Sequence, residues 1–493
     1  MKNFRHKTVS GIAWNIVSQV GQQTLTFSIG VILAHLLSPS EFGLITMITV
    51  ITGFAGIFAE LGFSAALVQK RNIGKEHLST VFWLNSGAGL LLMLIFMAGS
   101  PLIAGFYNEP QLVLLTVVIS TNFLINSFGI VQKTLMTKSL DFRTLSIVEI
   151  VTVGISGIIA IIMAYNGFGV WSLAVQAVVI SMTKVVSLWK LSKWRPRFEF
   201  HWWAIKNLIG FSSSYAGTKA LNYWARNVDN LLVGRFVGMD ALGAYSRAYS
   251  VMMFPLTSIS RVISNVMFPS FSLIQEDKQR VKELYLKITR TIALITFPLI
   301  FGLFVTVKPF VMVVFGQKWI AMIPILQILC LLGIPQSIGT LNGNIYLSQG
   351  RADLQFKVSL FLKASVILGI VIGLHWGVIG VAIGYTIASI INFYPSISYA
   401  ERLINMSFSE LMRNLSGIFV FASMMAAAVW ALGLLLPYTW PHWAYLATQI
   451  PFGIIVYLIS VHVFKLKAYV DIKKFLYEQW HVRFTKTVGG LTV

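Results

Sequence analysis

Residues 216–236 read AGTKALNYWARNVDNLLVGRF and residues 247–265 read RAYSVMMFPLTSISRVISN, on either side of a turn at Gly238–Asp240. The two arms extend from Leu208 to Val237 and from the turn to Ser270. Each arm can cross a bilayer about 30 Å thick, which takes roughly 20 residues. A charge at mid-membrane costs about 2.5–3.5 kcal/mol, so charged residues there normally face a protein interior or a wet cavity.

Each arm gathers polar side chains on one helical face when successive residues are placed about 100° apart. The faces consist of Lys219, Asn222, Tyr223, Arg226 and Asn230 in the first arm and of Arg247, Ser250, Ser258, Arg261 and Asn265 in the second. Two such faces predict a positively charged cavity within the membrane, which suits an anionic substrate. The candidate substrate-binding residues in these arms are Lys219, Asn222, Arg226, Arg247 and Arg261.

The composition is that of a polytopic membrane protein. Of the 493 residues, 56% are hydrophobic and 11% are charged, whereas soluble domains average about 25% charged residues. The formal net charge of +21 would suit a nucleic-acid partner. However, the basic residues fall mainly in short connections between apolar spans, which is the positive-inside pattern. No nucleic-acid partner is therefore expected, and the single Cys330 offers neither an intramolecular disulfide nor a metal cluster.

Hydropathy predicts an all-α polytopic protein with about fourteen transmembrane helices. The spans lie near 9–36, 41–69, 78–104, 111–132, 143–164, 168–190, 207–236, 240–270, 284–307, 320–347, 353–374, 377–400, 408–435 and 441–465. The first span is long, contains several Gln residues and lacks a small-residue cleavage site, so it is predicted to be an uncleaved helix. Lys and Arg concentrate in alternate connections, so both termini are expected in the cytoplasm.

An internal repeat divides the chain. Residues 32–45, ILAHLLSPSEFGLI, align without gaps on residues 232–245, LVGRFVGMDALGAY, at an offset of 200, and two shorter matches follow in the same order. Because six spans are an even number, the two copies have the same orientation in the membrane. We predict an N-lobe at 1–190, a cytoplasmic linker at 191–206, a C-lobe at 207–400, two extra helices at 401–465 and a cytoplasmic tail at 466–493.

The repeat adds candidate residues from the first span. Gln19 and Gln22 correspond at this offset to Lys219 and Asn222. One lobe is therefore expected to present a neutral polar face where the other presents a cationic one, with Gln19 and Gln22 among the substrate-binding residues. The alternative is that these amides only bond neighbouring helices, as is common in transmembrane bundles.

No catalytic constellation is present, and the chain is not expected to be an enzyme. No GxxxxGK[ST] phosphate loop occurs, no extracytoplasmic loop is long enough for a carboxylate-based active site, and no cofactor or metal is predicted. Glu60 and Asp229 are candidate ion-coupling residues, because intramembrane carboxylates often serve ion pathways. Asp229 lies three residues from Arg226, so an ion pair within the helix is its alternative role.

Two segments resemble the polysaccharide transporters of the multidrug/oligosaccharidyl-lipid/polysaccharide exporter superfamily. One is residues 36–69, LLSPSEFGLITMITVITGFAGIFAELGFSAALVQ; the other is residues 227–235, NVDNLLVGR, followed by LGAYSRAY at 242–249. The resemblance covers roughly residues 5–465 and is greatest to the Wzx-type and colanic or teichuronic acid exporters. Family members often have Asp where this chain has Glu60.

The resemblance implies a flippase of the bacterial inner membrane. It would move undecaprenyl-pyrophosphate-linked oligosaccharide repeat units for exopolysaccharide or lipopolysaccharide biosynthesis by alternating access, with H⁺ or Na⁺ as coupling ion and a polysaccharide polymerase as candidate partner. Three alternatives stay open: a cation-coupled drug antiporter of the same fold, a lipid-II-type flippase and a non-transporting scaffold of a polysaccharide assembly complex. A cationic cavity argues against the drug antiporter, because its substrates are usually cations.

Overall fold

The helices correspond to the predicted spans, except that residues 9–20 of the first span lie outside the described residues. The computed structural model describes residues 21–60, 62–70, 73–471 and 473, and this part of the chain contains helices and turns but no strand. The all-α class is therefore confirmed. The helices are α1 (21–36), α2 (Pro39–Glu60), α3 (Phe63–Gln69), α4 (Lys75–Tyr107), α5 (Leu112–Ser127), α6 (Ile130–Lys138), α7 (Phe142–Tyr165), α8 (Val170–Leu191), α9 (Trp202–Phe236), α10 (Met239–Leu273), α11 (Lys278–Val314), α12 (Met322–Gly339), α13 (Asn342–Ser348), α14 (Ala352–Gly373), α15 (Gly377–Leu403), α16 (Phe408–Leu435) and α17 (His442–Val463).

Three of the predicted spans are broken helices. Span 2 consists of α2 and α3, which are separated at Gly62, a residue in the left-handed region with φ of 71°. Span 4 consists of α5 and α6, which meet at an angle of 45°. Span 10 consists of α12 and α13. A broken backbone at membrane depth is tolerated where protein covers it or where it lines a cavity.

The apolar character of the helices varies along the chain. Within the described residues, nine helical stretches are long and apolar enough to cross a membrane, or ten if the bent pair α5–α6 is one span.

One of these stretches, Asp353–Leu403, contains both α14 and α15. A Cβ added at Gly373 would overlap the Gly380 backbone, and Gly369 approaches Gly384 in the same way. These matched contacts run in opposite directions along the two helices, so α14 and α15 form an antiparallel hairpin.

The chain packs as two compact units, residues 1–246 and 247–493. In the first unit α9 packs against α2, α3 and α4. A buried cluster there joins Phe63 and Leu67 of α3 with Phe82 of α4 and Leu208 of α9. This packing boundary differs from the predicted lobe boundary at 191–206, because α9 packs with the helices that precede it. The division by repeats stays a prediction.

The second unit is built around α11. This helix packs against α12, α16 and α17. Its Tyr285 and Phe297 belong to one buried cluster with Leu415 of α16 and Tyr457 of α17. The Tyr457 hydroxyl also donates a hydrogen bond of 3.0 Å to the Leu294 carbonyl oxygen, so the buried phenol has a partner, as low-dielectric surroundings require.

The first turns of α2 and α10 pack against each other reciprocally within the first unit. A Cβ added at Gly43 would overlap the carbonyl oxygen of Met239, and a Cβ added at Gly243 would overlap the carbonyl oxygen of Pro39. Glycine therefore allows the two backbones to approach closely, as small residues do in membrane helix pairs.

One helical turn further along α2 and α10, a contact between side chains also joins equivalent positions of the two repeats. The Thr46 hydroxyl donates a hydrogen bond of 3.4 Å to the Ser246 hydroxyl, and these residues are 200 positions apart. The residues of the glycine contact are related by the same offset, which is the offset of the sequence repeat. Exchange of the two repeats therefore maps this contact onto itself, which indicates a local two-fold relation between the starts of α2 and α10.

We predict that Gly43→Ala and Gly243→Ala each destabilise the protein. The added methyl group meets backbone atoms, and overpacking typically costs about 1–3 kcal/mol. The midpoint of thermal unfolding in detergent should fall for both variants. Gly87→Ala in α4 is the matched control, because a Cβ there meets nothing within 4 Å. Equal midpoints for the control, both variants and the wild type would contradict the close contact.

Candidate functional site

An ion pair joins two of the predicted functional residues. Lys219 of α9 places its Nζ atom 3.7 Å from Glu60 Oε2, and the same ammonium lies 4.7 Å from the centre of the Tyr215 ring. Glu60 is the last residue of α2, immediately before the break in span 2. The predicted ion-coupling carboxylate and a predicted substrate-binding cation are therefore one electrostatic unit.

The other polar residues of α9 have different surroundings. The Tyr223 hydroxyl donates to the Thr49 and Val50 carbonyl oxygens at 3.0 Å and 2.9 Å, so Tyr223 fixes α9 on α2 and does not belong to an open polar face. Asn222 and Arg226 are exposed. Within the described part of the chain, the ion pairs do not include Arg226.

Asp229 is buried, with 4% of its surface exposed. Its carboxylate accepts hydrogen bonds from the Tyr245 hydroxyl and the Asn230 backbone N–H, both at 2.9 Å. The hydroxyl contact links α9 to α10 within the first unit. The partners of Asp229 are therefore two hydrogen-bond donors. The ion pairs of the described residues do not include Asp229 with Arg226, which was the alternative role predicted for Asp229.

The remaining predicted residues are distributed over several helices. Arg247 is half-buried on α10, in the second unit, and Gln22 is half-buried on α1. Gln19 and the side chain of Arg261 lie outside the described residues. Of the predicted functional residues, the structure brings Lys219 and Glu60 into contact. The common cavity predicted from the two cationic faces stays a prediction.

The first unit also contains a cavity that the sequence did not indicate. It has a volume of about 690 Å³ and is lined by α2, α3, α5, α6 and α8 and by Tyr215 of α9. Glu60 lines it together with Lys133 of α6 and Lys184 of α8. Its neutral polar lining includes Asn122 and Asn126 of α5 and, on other helices, Ser64, Thr134 and Ser181.

Lys184 could have been recognised from sequence. Apart from Lys190 at the very end, it is the one charged residue in the apolar span at 168–190. The free-energy cost of a charge within the membrane, which drew attention to the cations of α9, applies to it equally. Lys133 carries a weaker signal, because it follows directly on the span at 111–132 and resembles an ordinary cytoplasmic anchor. The bend between α5 and α6 makes it line the cavity, and hydropathy does not report such a bend.

Residues 32–324 match the model of a family described as polysaccharide biosynthesis protein. The chain belongs to this family. The membership confirms the resemblance to polysaccharide exporters that the motifs at 36–69 and 227–249 indicated.

Two curated relatives of this family member cover most of its length. It is 30% identical to the teichuronic acid biosynthesis protein TuaB of Bacillus subtilis (strain 168), over 88% of this chain and 90% of that protein. It is 29% identical to the lipopolysaccharide biosynthesis protein WzxC of Escherichia coli (strain K12), over 79% of this chain and 80% of that protein.

A solved structure with the same fold is the lipid II flippase MurJ in an inward closed conformation. The TM-score is 0.75 at 17% sequence identity, and the match covers 92% of this chain and 98% of that one. At this identity the likeness shows the fold alone. It confirms the predicted architecture of an all-helical membrane protein with two lobes.

We predict that Glu60→Gln and Lys219→Gln each lower the free energy of unfolding, and that the double variant loses less than the sum. The reason is that each single variant leaves one charge without its partner. A double-mutant cycle measured by SDS titration should give a coupling energy of up to about 1 kcal/mol. The same cycle on Glu60 and Lys190, which are not paired among the ion pairs of the described residues, is the control and should be additive. If the free-energy losses of the Glu60 and Lys219 single variants add fully in the double variant, the ion pair contributes nothing to the stability of the protein.

Proposed function

We propose that this member of the polysaccharide biosynthesis family is a flippase of the bacterial inner membrane. Its substrate would be an undecaprenyl-pyrophosphate-linked oligosaccharide, moved from the cytoplasmic to the outer leaflet by alternating access and driven by an H⁺ or Na⁺ gradient. Both termini would be cytoplasmic. The family match and the fold shared with a lipid II flippase support this proposal.

The observation that carries the proposal is the excess of cations on α9 and α10. Lys219, Arg226 and Arg247 lie on these helices, and the ion pairs of the described residues give Lys219 a carboxylate partner in Glu60. A pyrophosphate brings the negative charge that such helices lack. Arginine suits this ligand because its guanidinium donates two parallel hydrogen bonds to phosphate oxygens.

The same cations weigh against two of the other functions. A drug antiporter binds mostly cationic molecules, which these arginines would repel. A scaffold without transport activity would not need charges within membrane helices, where they are costly. A lipid-II-type flippase shares the pyrophosphate chemistry, so the sugar attached to the lipid distinguishes it. Flipping of a fluorescent lipid-linked sugar in proteoliposomes separates transport from scaffolding.

We expect Arg226→Ala and Arg247→Ala each to lower flipping and binding of the lipid pyrophosphate, and the double variant to lose both. The loss of one charge-assisted hydrogen bond corresponds to about tenfold or more in affinity. Lysine at either position should restore part of the activity, because the charge returns without the bidentate geometry. Arg413→Ala, at an exposed position near the start of α16, is the control. Normal flipping by a stably inserted double alanine variant would contradict the anionic-substrate proposal.

We further expect Glu60→Gln to abolish gradient-driven flipping if Glu60 binds the coupling ion. The double variant Glu60→Gln/Lys219→Gln distinguishes this role from a structural one. Removal of both charges leaves neither charge without its partner, so part of the lost stability should return while coupling of flipping to the gradient stays lost. Proteoliposomes with and without an imposed proton or sodium gradient give the measurement. If the double variant also recovers gradient-driven flipping, Glu60 has only a structural role.

A further inference from the structure

A pair of lysines lines the cavity within the first unit. Lys133 is on α6 and Lys184 is on α8, and Glu60 at the end of α2 faces the same space. This cavity adjoins the polar face of α9, because Tyr215 of α9 lines it and the Lys219 ammonium that pairs with Glu60 lies over the Tyr215 ring. The repeat and the motifs did not assign a role to either lysine.

The charges around these lysines do not cancel. Lys184 interacts electrostatically with Lys133, Glu149 and Glu60. Glu60 is already engaged with Lys219 at 3.7 Å, and the ion pairs of the described residues include neither cavity lysine. Three cations, Lys133, Lys184 and Lys219, thus share the two carboxylates of Glu60 and Glu149, which leaves one net positive charge and two ammonium groups that repel each other. An anion between them would remove the repulsion and supply the missing charge.

The rest of the lining suits a phosphate-type ligand. The Ser64 hydroxyl is buried, lines the cavity and has no hydrogen-bond partner, so it has a proton to donate. The Asn126 amide reaches the Ser181 hydroxyl at 3.0 Å on the facing helix, which holds two further polar groups at the wall. The volume of about 690 Å³ leaves room for a diphosphate and many waters, each of which takes about 30 Å³.

We infer that this cavity binds a diphosphate group through Lys133 and Lys184. The group could be inorganic pyrophosphate or the head group of a lipid pyrophosphate, because the recognising chemistry is the same. The lipid version rests on the proposed flippase function, whereas the binding of inorganic pyrophosphate does not. A failure to flip lipid-linked sugars and a failure to bind inorganic pyrophosphate are therefore distinguishable results.

The first test measures binding of inorganic pyrophosphate to the purified full-length chain by calorimetry at low ionic strength. Lys133→Gln and Lys184→Gln should each weaken binding about tenfold, since a charge-assisted hydrogen bond is lost. The double variant should show no measurable binding. Lys190→Gln is the matched control, because it removes one exposed charge from the same helix outside the cavity. Its affinity should stay within about twofold of the wild type.

The second test uses the wild-type chain, so that it does not depend on the folding of variants. Lysine acetylation is followed by mass spectrometry with no ligand, with inorganic pyrophosphate, and with undecaprenyl pyrophosphate in the same detergent. We expect several-fold slower acetylation of Lys133 and Lys184 with at least one ligand, and an unchanged rate at Lys190. Protection by the lipid alone identifies a lipid head-group site, whereas equal protection by both ligands identifies a general diphosphate site.

Either of two results overturns the inference. One is a double variant, folded by its thermal midpoint, that binds inorganic pyrophosphate as tightly as the wild type. The other is acetylation of Lys133 and Lys184 at the same rate with and without both ligands.

Discussion

The cost of a charged side chain within a membrane is the constraint on which this arrangement depends. Hydrocarbon offers no water to a charge, so each one needs an opposite charge, hydrogen-bond donors or a wet space. The first unit uses all three. Lys219 pairs with Glu60, Asp229 accepts from Tyr245 and a backbone N–H, and Lys184 faces a cavity. The charged residues therefore identify the places where the helices are not simply packed against one another.

The number and order of the helices could be predicted because they depend on length and hydropathy, which are local properties. The breaks within spans 2, 4 and 10 could not. They depend on one or two residues, such as Gly62 in the left-handed region, and on neighbouring helices that compensate for interrupted backbone hydrogen bonds. The breaks matter for function, because Glu60 ends α2 at one of them and Lys133 follows another.

The repeat illustrates what a sequence offset can and cannot predict. The alignment paired Gly43 with Gly243, and equivalent positions were all that it established. The structure adds that these glycines lie in one reciprocal contact, each against the other repeat's first turn. Sequence could not predict this because equivalence of two residues carries no information about their distance. The Thr46–Ser246 hydrogen bond extends the relation to side chains that differ in size but keep a hydroxyl.

The predicted site was assembled from residues along single helices, and for this reason it did not include the residues of the cavity. Sequence periodicity identifies a polar face on one helix at a time. The charged residues of the cavity come from three different helices: Glu60 from α2, Lys133 from α6 and Lys184 from α8. Glu60 is the residue common to both sites, because it contacts Lys219 and acts electrostatically on Lys184. An anion that binds either lysine competes with Glu60 for it, and a cation or proton that binds Glu60 releases both lysines for an anion. Under the proposed function, the exchange of partners at this one carboxylate would couple an ion gradient to the binding of a diphosphate.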